Sequence, residues 1–372
     1  MSFPEVPISG LVERCLTWNP RSCDCAEFDY IDLSSVDKDA KRITTVETYA
    51  CAEAPSRARQ IVQTGDILVS TVRPNLNGVA AVGPEHDGLT ASTGYCVLRP
   101  DAQCLDSSFL FHWVKTEKFI QRMVDLATGA NYPAVSDAKV KASIIPLAPL
   151  AEQKRIAGIL DTADALRAKR RESLAQLDNL LQSTFLDLFG DPRREGTMGK
   201  VETRSANLGD LTSIRTGKLD ANAADENGAY PFFTCATRTL RINTPAFDGK
   251  AVLVAGNGDL NVKYYEGKFN AYQRTYVIES RNEAQLHPRF LHIFLDLYVS
   301  ELRKMAIGGV IKYIKLPYLQ DAKVELPARE QQAKFAAIVE TVERQKALLV
   351  DHLAELDKLF TSLQSRAFNG EL

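Results

Sequence analysis

Arginine and asparagine gather in loop-like stretches of this sequence. They are Arg73, Asn75 and Asn77 in RPNLNG, Asn131 and Tyr132 in TGANYPAVS, and Arg238 and Arg241 in ATRTLRINT. Asn257, Asn261 and Lys263 stand in and just after GNGDLN, and Lys312, Tyr313 and Lys315 in IKYIK. A guanidinium donates in a fork that fits guanine, a carboxamide pairs with adenine, and lysine and tyrosine add phosphate contact and stacking. Singly, each would pass for a solvated loop residue. Together, in corresponding loops of two domains, they read as candidate DNA-contacting groups, and their chemistry is recognition.

Bond-breaking chemistry has no such set. The chain holds no GxxxxGK[ST] loop, no GxGxxG turn, no HExxH and no zinc ligand pattern, and its five histidines stand in no nucleophile or metal spacing. Asp66 and Asp259 lie beside Gly turns without a partner acid. No catalytic residue, no metal ligand and no cofactor of its own is therefore expected. The net charge of −2 excludes a global positive field, so nucleic-acid contact must be local. The basic run Arg167, Lys169, Arg170 and Arg171 reads as a solvated helix face. An odd seven cysteines suit reduced thiols, and Cys15, Cys23 and Cys25 lack the second pair a metal site needs. With no long apolar run and no signal-like start, the expected address is cytoplasmic, without a membrane segment.

The elements that must hold these loops come from a duplication. Pro146 and Pro149 bar helix before PLAEQKRIAGILDTADALRAKRRESLAQLDNLLQSTFLDLFGD, Gly190 and Pro192 stop it afterwards, and between them only Gly158 interrupts. One long helix follows, and a second runs through PAREQQ to the end, where LAELDKL at 353–359 matches LAQLDNL at 174–180. DAKV recurs at 137–140 and 321–324. Val342, Leu349, Leu356 and Leu363 repeat every seven, with Leu353 and Phe360 between them, which predicts a coiled-coil seam. In the first helix the seam falls on Leu174, Leu177, Leu181 and Leu188.

The segments before each helix read as mixed α/β. Residues 61–72 and 94–99 in the first domain, and 230–236, 250–256, 261–272 and 274–279 in the second, have strand composition. A helix is expected from Ser107 or Ser108 as N-cap through about Leu126, a strand over Lys139–Ile145, and an equivalent helix over Pro288–Met305. The expected fold is two α/β (α+β) domains separated by a pair of long antiparallel coiled-coil helices, a pseudo-two-fold duplication. The divisions are a first domain at 1–147, a central helix at 148–190, a linker at 191–202, a second domain at 203–326 and a distal helix at 327–372.

IPLAPLAEQKRIAGILDTADALRAKRRESLAQLDNLLQSTFLDLFGDP resembles the central conserved region of the DNA specificity (S) subunit of type I restriction-modification enzymes. The stretch from LPAREQQ to AFNGEL resembles its distal counterpart, although PAREQQ departs from the more usual PLxEQ. The resemblance implies two target recognition domains and a non-catalytic subunit that binds double-stranded DNA of split sequence, one half per domain. It also implies two methyltransferase (M) subunits using S-adenosylmethionine, and restriction/translocase (R) subunits using ATP and Mg. Two other readings are a coiled-coil scaffold with protein- or RNA-binding end domains, and a specificity module for a methyltransferase without a restriction partner.

In the expected fold the helices act as a ruler between domains at opposite ends. One heptad inserted in both, near Ala168 and Ala347, adds about 10 Å, or about three base pairs, and turns the groove by about 100° while the helix face turns about 20°. Preference for the native spacer between half-sites should then be lost while each domain stays folded. Methylation mapping on targets of varied spacer is the check, and unchanged spacer preference would refute the ruler.

Overall fold

The computed structural model describes residues 3–194, 197 and 199–372; of the expected linker, residues 195, 196 and 198 lie outside it. Contacts divide the chain into a first unit, Met1–Arg170 with His352–Leu372, and a second, Arg171–Asp351. Each unit thus takes part of both long helices. Among the described residues no helix is long and apolar enough to cross a membrane.

The first unit is built on antiparallel ladders. Ile67–Ser70 lies between Val79–Ala81 and Tyr95–Pro100, and a second sheet joins Leu16–Thr17, Ala58–Ile61, Thr90–Ser92, Glu27–Ile31 and Glu47–Ala50, with one parallel pair, Thr90 opposite Tyr30. Strand alternation sorts the core. Ile67, Val69, Cys96 and Leu98 face one cluster with Phe109 and Trp113, while Leu68, Tyr95 and Val97 face another. Helices α1 (Ser107–Val114), α2 (Glu117–Leu126) and α3 (Asp137–Lys141) follow, then α4 (Leu150–Phe189). In the second unit come α5 (Leu208–Leu211), α6 (Pro288–Met305) and α7 (Leu316–Gln320), and α8 (Arg329–Asn369) begins there and ends in the first. There Phe247–Ala255 pairs with Val262–Ala271 and Thr275–Ser280, sending Val252, Val254 and Ile278 towards α6 and Leu253 and Val277 to the other side.

Three local expectations are corrected. Residues 107–126 form two helices, because Thr116 accepts from the Phe119 amide at 3.2 Å and starts a new one; the first N-cap is Asp106, accepting from Phe109 at 2.9 Å. The strand expected over Lys139–Ile145 is instead α3 followed by a strand, Ile144–Pro146, paired with Glu5–Pro7. The identical DAKV segments are not equivalent: 137–140 lies in α3, whereas Asp321 caps α7 and Lys323 opens a strand. The cysteines also differ from expectation. The turn at Cys51–Glu53 brings Cys51 to a Cα separation of 6.4 Å from Cys25, and the two are joined as a disulfide.

Gly190 ends α4 at φ +85°, its amide bonded to Leu186 oxygen at 3.0 Å. The stripe positions Val342 and Phe360 are buried and Leu349, Leu353, Leu356 and Leu363 half-buried, while neighbouring Leu348, Val350 and Leu359 are exposed. On α4, Leu181 is buried and Leu174, Leu177 and Leu188 half-buried. Within the first unit α4 and α8 run antiparallel: Arg155 donates to the Leu372 oxygen at 2.9 Å and Arg167 to Asp357 at 2.6 Å. Phe360 lies under the Arg167 guanidinium at 4.3 Å, and Phe368 packs 5.0 Å from both Phe109 and Trp113. Within the second unit Lys346 meets Asp178 at 2.7 Å and Phe185 lies 5.6 Å from Phe335.

Each long helix is fastened by one buried carboxamide. Gln153 donates to Cys104 oxygen at 2.9 Å and Ala148 oxygen at 2.8 Å, and accepts from the Asp106 amide at 2.8 Å. Gln332 repeats all three bonds with Gln285, Pro327 and the His287 amide. The match is therefore Gln153 with Gln332, which sets Ala148 against Pro327 and shifts PAREQQ by one residue from its alignment on the prolines. Gln153→Leu or Gln332→Leu strands one buried and two partly buried main-chain groups and is expected to destabilise by roughly 2 kcal/mol. Urea unfolding with amide exchange checks it. Protection should fall first in the unit that holds the change, and wild-type stability would show the carboxamides to be dispensable.

Candidate nucleic-acid interface

In both units a strand end and the turn after a helix lie edge to edge, joined by the same main-chain bonds. In the first, Val135 donates to Thr71 oxygen at 2.9 Å, Arg73 to Pro133 oxygen at 2.7 Å, and Thr128 and Ala134 exchange bonds of 2.9 Å. In the second, Ile314 donates to Gly256 oxygen at 2.9 Å and Gly258 to Lys312 oxygen at 2.9 Å, while Ile307 and Tyr313 exchange bonds of 3.0 and 2.8 Å. Glycine makes both turns possible. Gly129 (φ +106°) and Gly308 (φ +125°) occupy the left-handed side, and a Cβ would meet the Tyr132 oxygen at 3.0 Å or the Ile311 oxygen at 2.5 Å.

This device brings Arg73, Asn131 and Tyr132 together, all exposed, with the guanidinium 4.9 Å above the tyrosine ring. Asn75 is exposed on the turn Pro74–Leu76. Asn77 is buried and left-handed at φ 44°, and its carbonyl accepts from Lys41 Nζ at 2.6 Å. Its part is to shape the turn. Sequence reasoning missed Lys41, which lies far from the loop in the chain and whose pKa is lowered by burial.

In the second unit the device gathers Asn257, Lys312, Tyr313 and, as N-cap of α7, Lys315. Beside it a surface depression of about 360 Å³ is lined by Gln273, Arg274, Tyr276, Tyr313 and Lys315. Gln273 and Arg274 were missed, although their place in the turn between two strands was the available signal. The remaining residues divide by what their donors do. Asn261 donates to Cys235 oxygen at 2.8 Å and Lys263 to Ala236 oxygen, fastening the loop that exposes Arg238. Burial lowers the Lys263 pKa. Arg241 is exposed, and one edge of its guanidinium donates to Gly228 oxygen at 2.6 Å and Ala229 oxygen at 3.0 Å.

The family model described as "Type I restriction modification DNA specificity domain" matches residues 54–177 and 200–358. The chain belongs to that family. Among the specificity-domain relatives, the EcoDI specificity subunit of Escherichia coli is 42% identical over 46% of this chain, a match that spans 39% of the relative's own length. The EcoKI specificity subunit of Escherichia coli K12 is 24% identical over 84% of this chain and 76% of its own. The type I S subunit structure from M. genitalium superposes with a TM-score of 0.57 at 17% identity, covering 98% of this chain and 96% of that one. A chain solved in work on complex assembly and conformational transition of the type I R-M system gives 0.58 at 24% identity, covering 100% and 98%. These superpositions establish the specificity-subunit fold, two sheet-rich domains with long helices.

The two arginines of the 236–244 loop should behave differently. Arg241→Ala removes two charge-assisted bonds and is expected to speed amide exchange over residues 225–229 roughly tenfold or more. Arg238→Ala should leave that exchange unchanged. Exchange mass spectrometry checks both, and equal effects would contradict the fastening of this loop by Arg241.

Proposed function

We propose that this chain is the non-catalytic DNA-recognition subunit of a type I restriction-modification enzyme and works in the cytoplasm. Each unit reads one half of a split duplex sequence, and the long helices carry two methyltransferase subunits. Those partners bring S-adenosylmethionine, and restriction/translocase subunits bring ATP and Mg. The supporting observation is the repeated loop device: one main-chain scaffold, built twice, presenting different side chains. Equal scaffolds with unequal tips suit two readers of different half-sites.

The contact chemistry divides accordingly. Arg73 and Arg238 have free edges for the guanine fork, Asn131 and Asn257 are placed for adenine, and Tyr132, Lys312, Tyr313 and Lys315 serve stacking or phosphate. With a net charge of −2, these local cations must act where the duplex lies, and partners can carry much of the phosphate contact.

Methylated adenines are to be mapped genome-wide with and without this chain, and then with residues 203–326 exchanged for those of a relative. Loss of one modified bipartite motif, and alteration of only one of its halves after exchange, is the expected result. Arg238→Ala should weaken that same half by about 1–3 kcal/mol. Simultaneous change of both halves, or a methylome indifferent to the chain, would refute the proposal.

A further inference from the structure

The tip of the second unit's turn is apolar. Val310 is fully exposed and Ile311 is 60% exposed. The bonded ends of the turn, 307 with 313 and 128 with 134, set these two residues at the places held in the first unit by Asn131 and Tyr132. Gly308 and Gly309 precede them, and Lys312 and Lys315 follow, with no acidic residue between 305 and 316. Two β-branched side chains are thus exposed on a main-chain-bonded turn and followed by two lysines.

Lysines beside an apolar tip, with no acid near it in the turn, suit a polyanion that carries a small apolar group. Two side chains cannot supply the roughly 1,200 Å² or more of a stable protein interface. The major groove offers one apolar feature, the 5-methyl of thymine. Resting on the DNA-recognition reading above, we infer that Val310 and Ile311 select thymine in the second unit's half-site by packing on its methyl group. The first unit, with Asn131 and Tyr132 there, makes no such selection through its tip.

Replacing thymine by deoxyuridine removes that methyl and leaves the base-pair hydrogen bonds intact. The full chain, purified with its methyltransferase, is titrated against duplexes of its mapped target in which each thymine of the half-site assigned by the 203–326 exchange becomes deoxyuridine. At one or two positions binding should weaken about fourfold per methyl. The variant Val310→Ser, Ile311→Ser should bind the thymine duplex as weakly and be indifferent to deoxyuridine, while Ile311→Leu keeps the discrimination. An unchanged response at the other half-site shows that the variant remains folded. Indifference of the wild type to deoxyuridine, as for a wedge between base steps, a half-site without thymine, or a serine variant that still discriminates would each overturn this inference and leave DNA recognition standing. A complex that binds no specific duplex would overturn both.

Discussion

The carboxamides of Gln153 and Gln332 each hold two carbonyls and one amide at the place where a long helix leaves its domain. Both side chains are fully buried, and the bonds to Ala148 and Pro327 lie where water cannot replace them. One acceptor lies at the helix start, and the other two groups lie just before the domain helix. The bonds therefore fix the direction of the long helix against the sheet. With that direction set, Ile156 and Leu160 reach the first core, and Phe335 and Val339 the second. The cross-helix pairs then follow at equivalent places. Arg167 with Asp357 and Lys346 with Asp178 obey the same register, and each joins a cation on one helix to an acid on the other.

The loop device shows how one scaffold is freed to vary. Its bonds run through main-chain amides and carbonyls alone, so they ask almost nothing of the side chains except glycine at 129 and 308. Tip residues can then differ completely between the units without disturbing the turn. An arginine over a tyrosine in one unit and two aliphatic residues in the other rest on the same frame.

The long helices, most strands and the duplication were legible in the sequence because proline, glycine and residue periodicity act locally. What escaped depended on distant neighbours. DAKV becomes helix in one place and a helix end followed by a strand in the other, since four residues carry too little preference to resist their surroundings. The break at Thr116 needed the side chain to choose its backbone partner. Of the candidate contact residues, Arg73, Asn131 and Tyr132 were picked out on residue type, and the turn brings them together. Arg241 looked identical in kind to Arg238, and only the carbonyls of Gly228 and Ala229 separate them. The pairing of Cys25 with Cys51 depended on a turn that no cysteine spacing encodes.

The first unit is completed by the far end of the chain: Phe360, Ala367 and Phe368 belong to the same core as Phe109 and Trp113. A ribosome adding about 5–20 residues per second needs roughly 10–40 s to travel from Arg170 to those residues. Throughout that interval the face of α1 that Phe368 will cover stays open to water, chaperones and other nascent chains. The second unit, made from one continuous stretch, can close first. The unit synthesised first thus cannot be sealed until some of the last-made residues arrive.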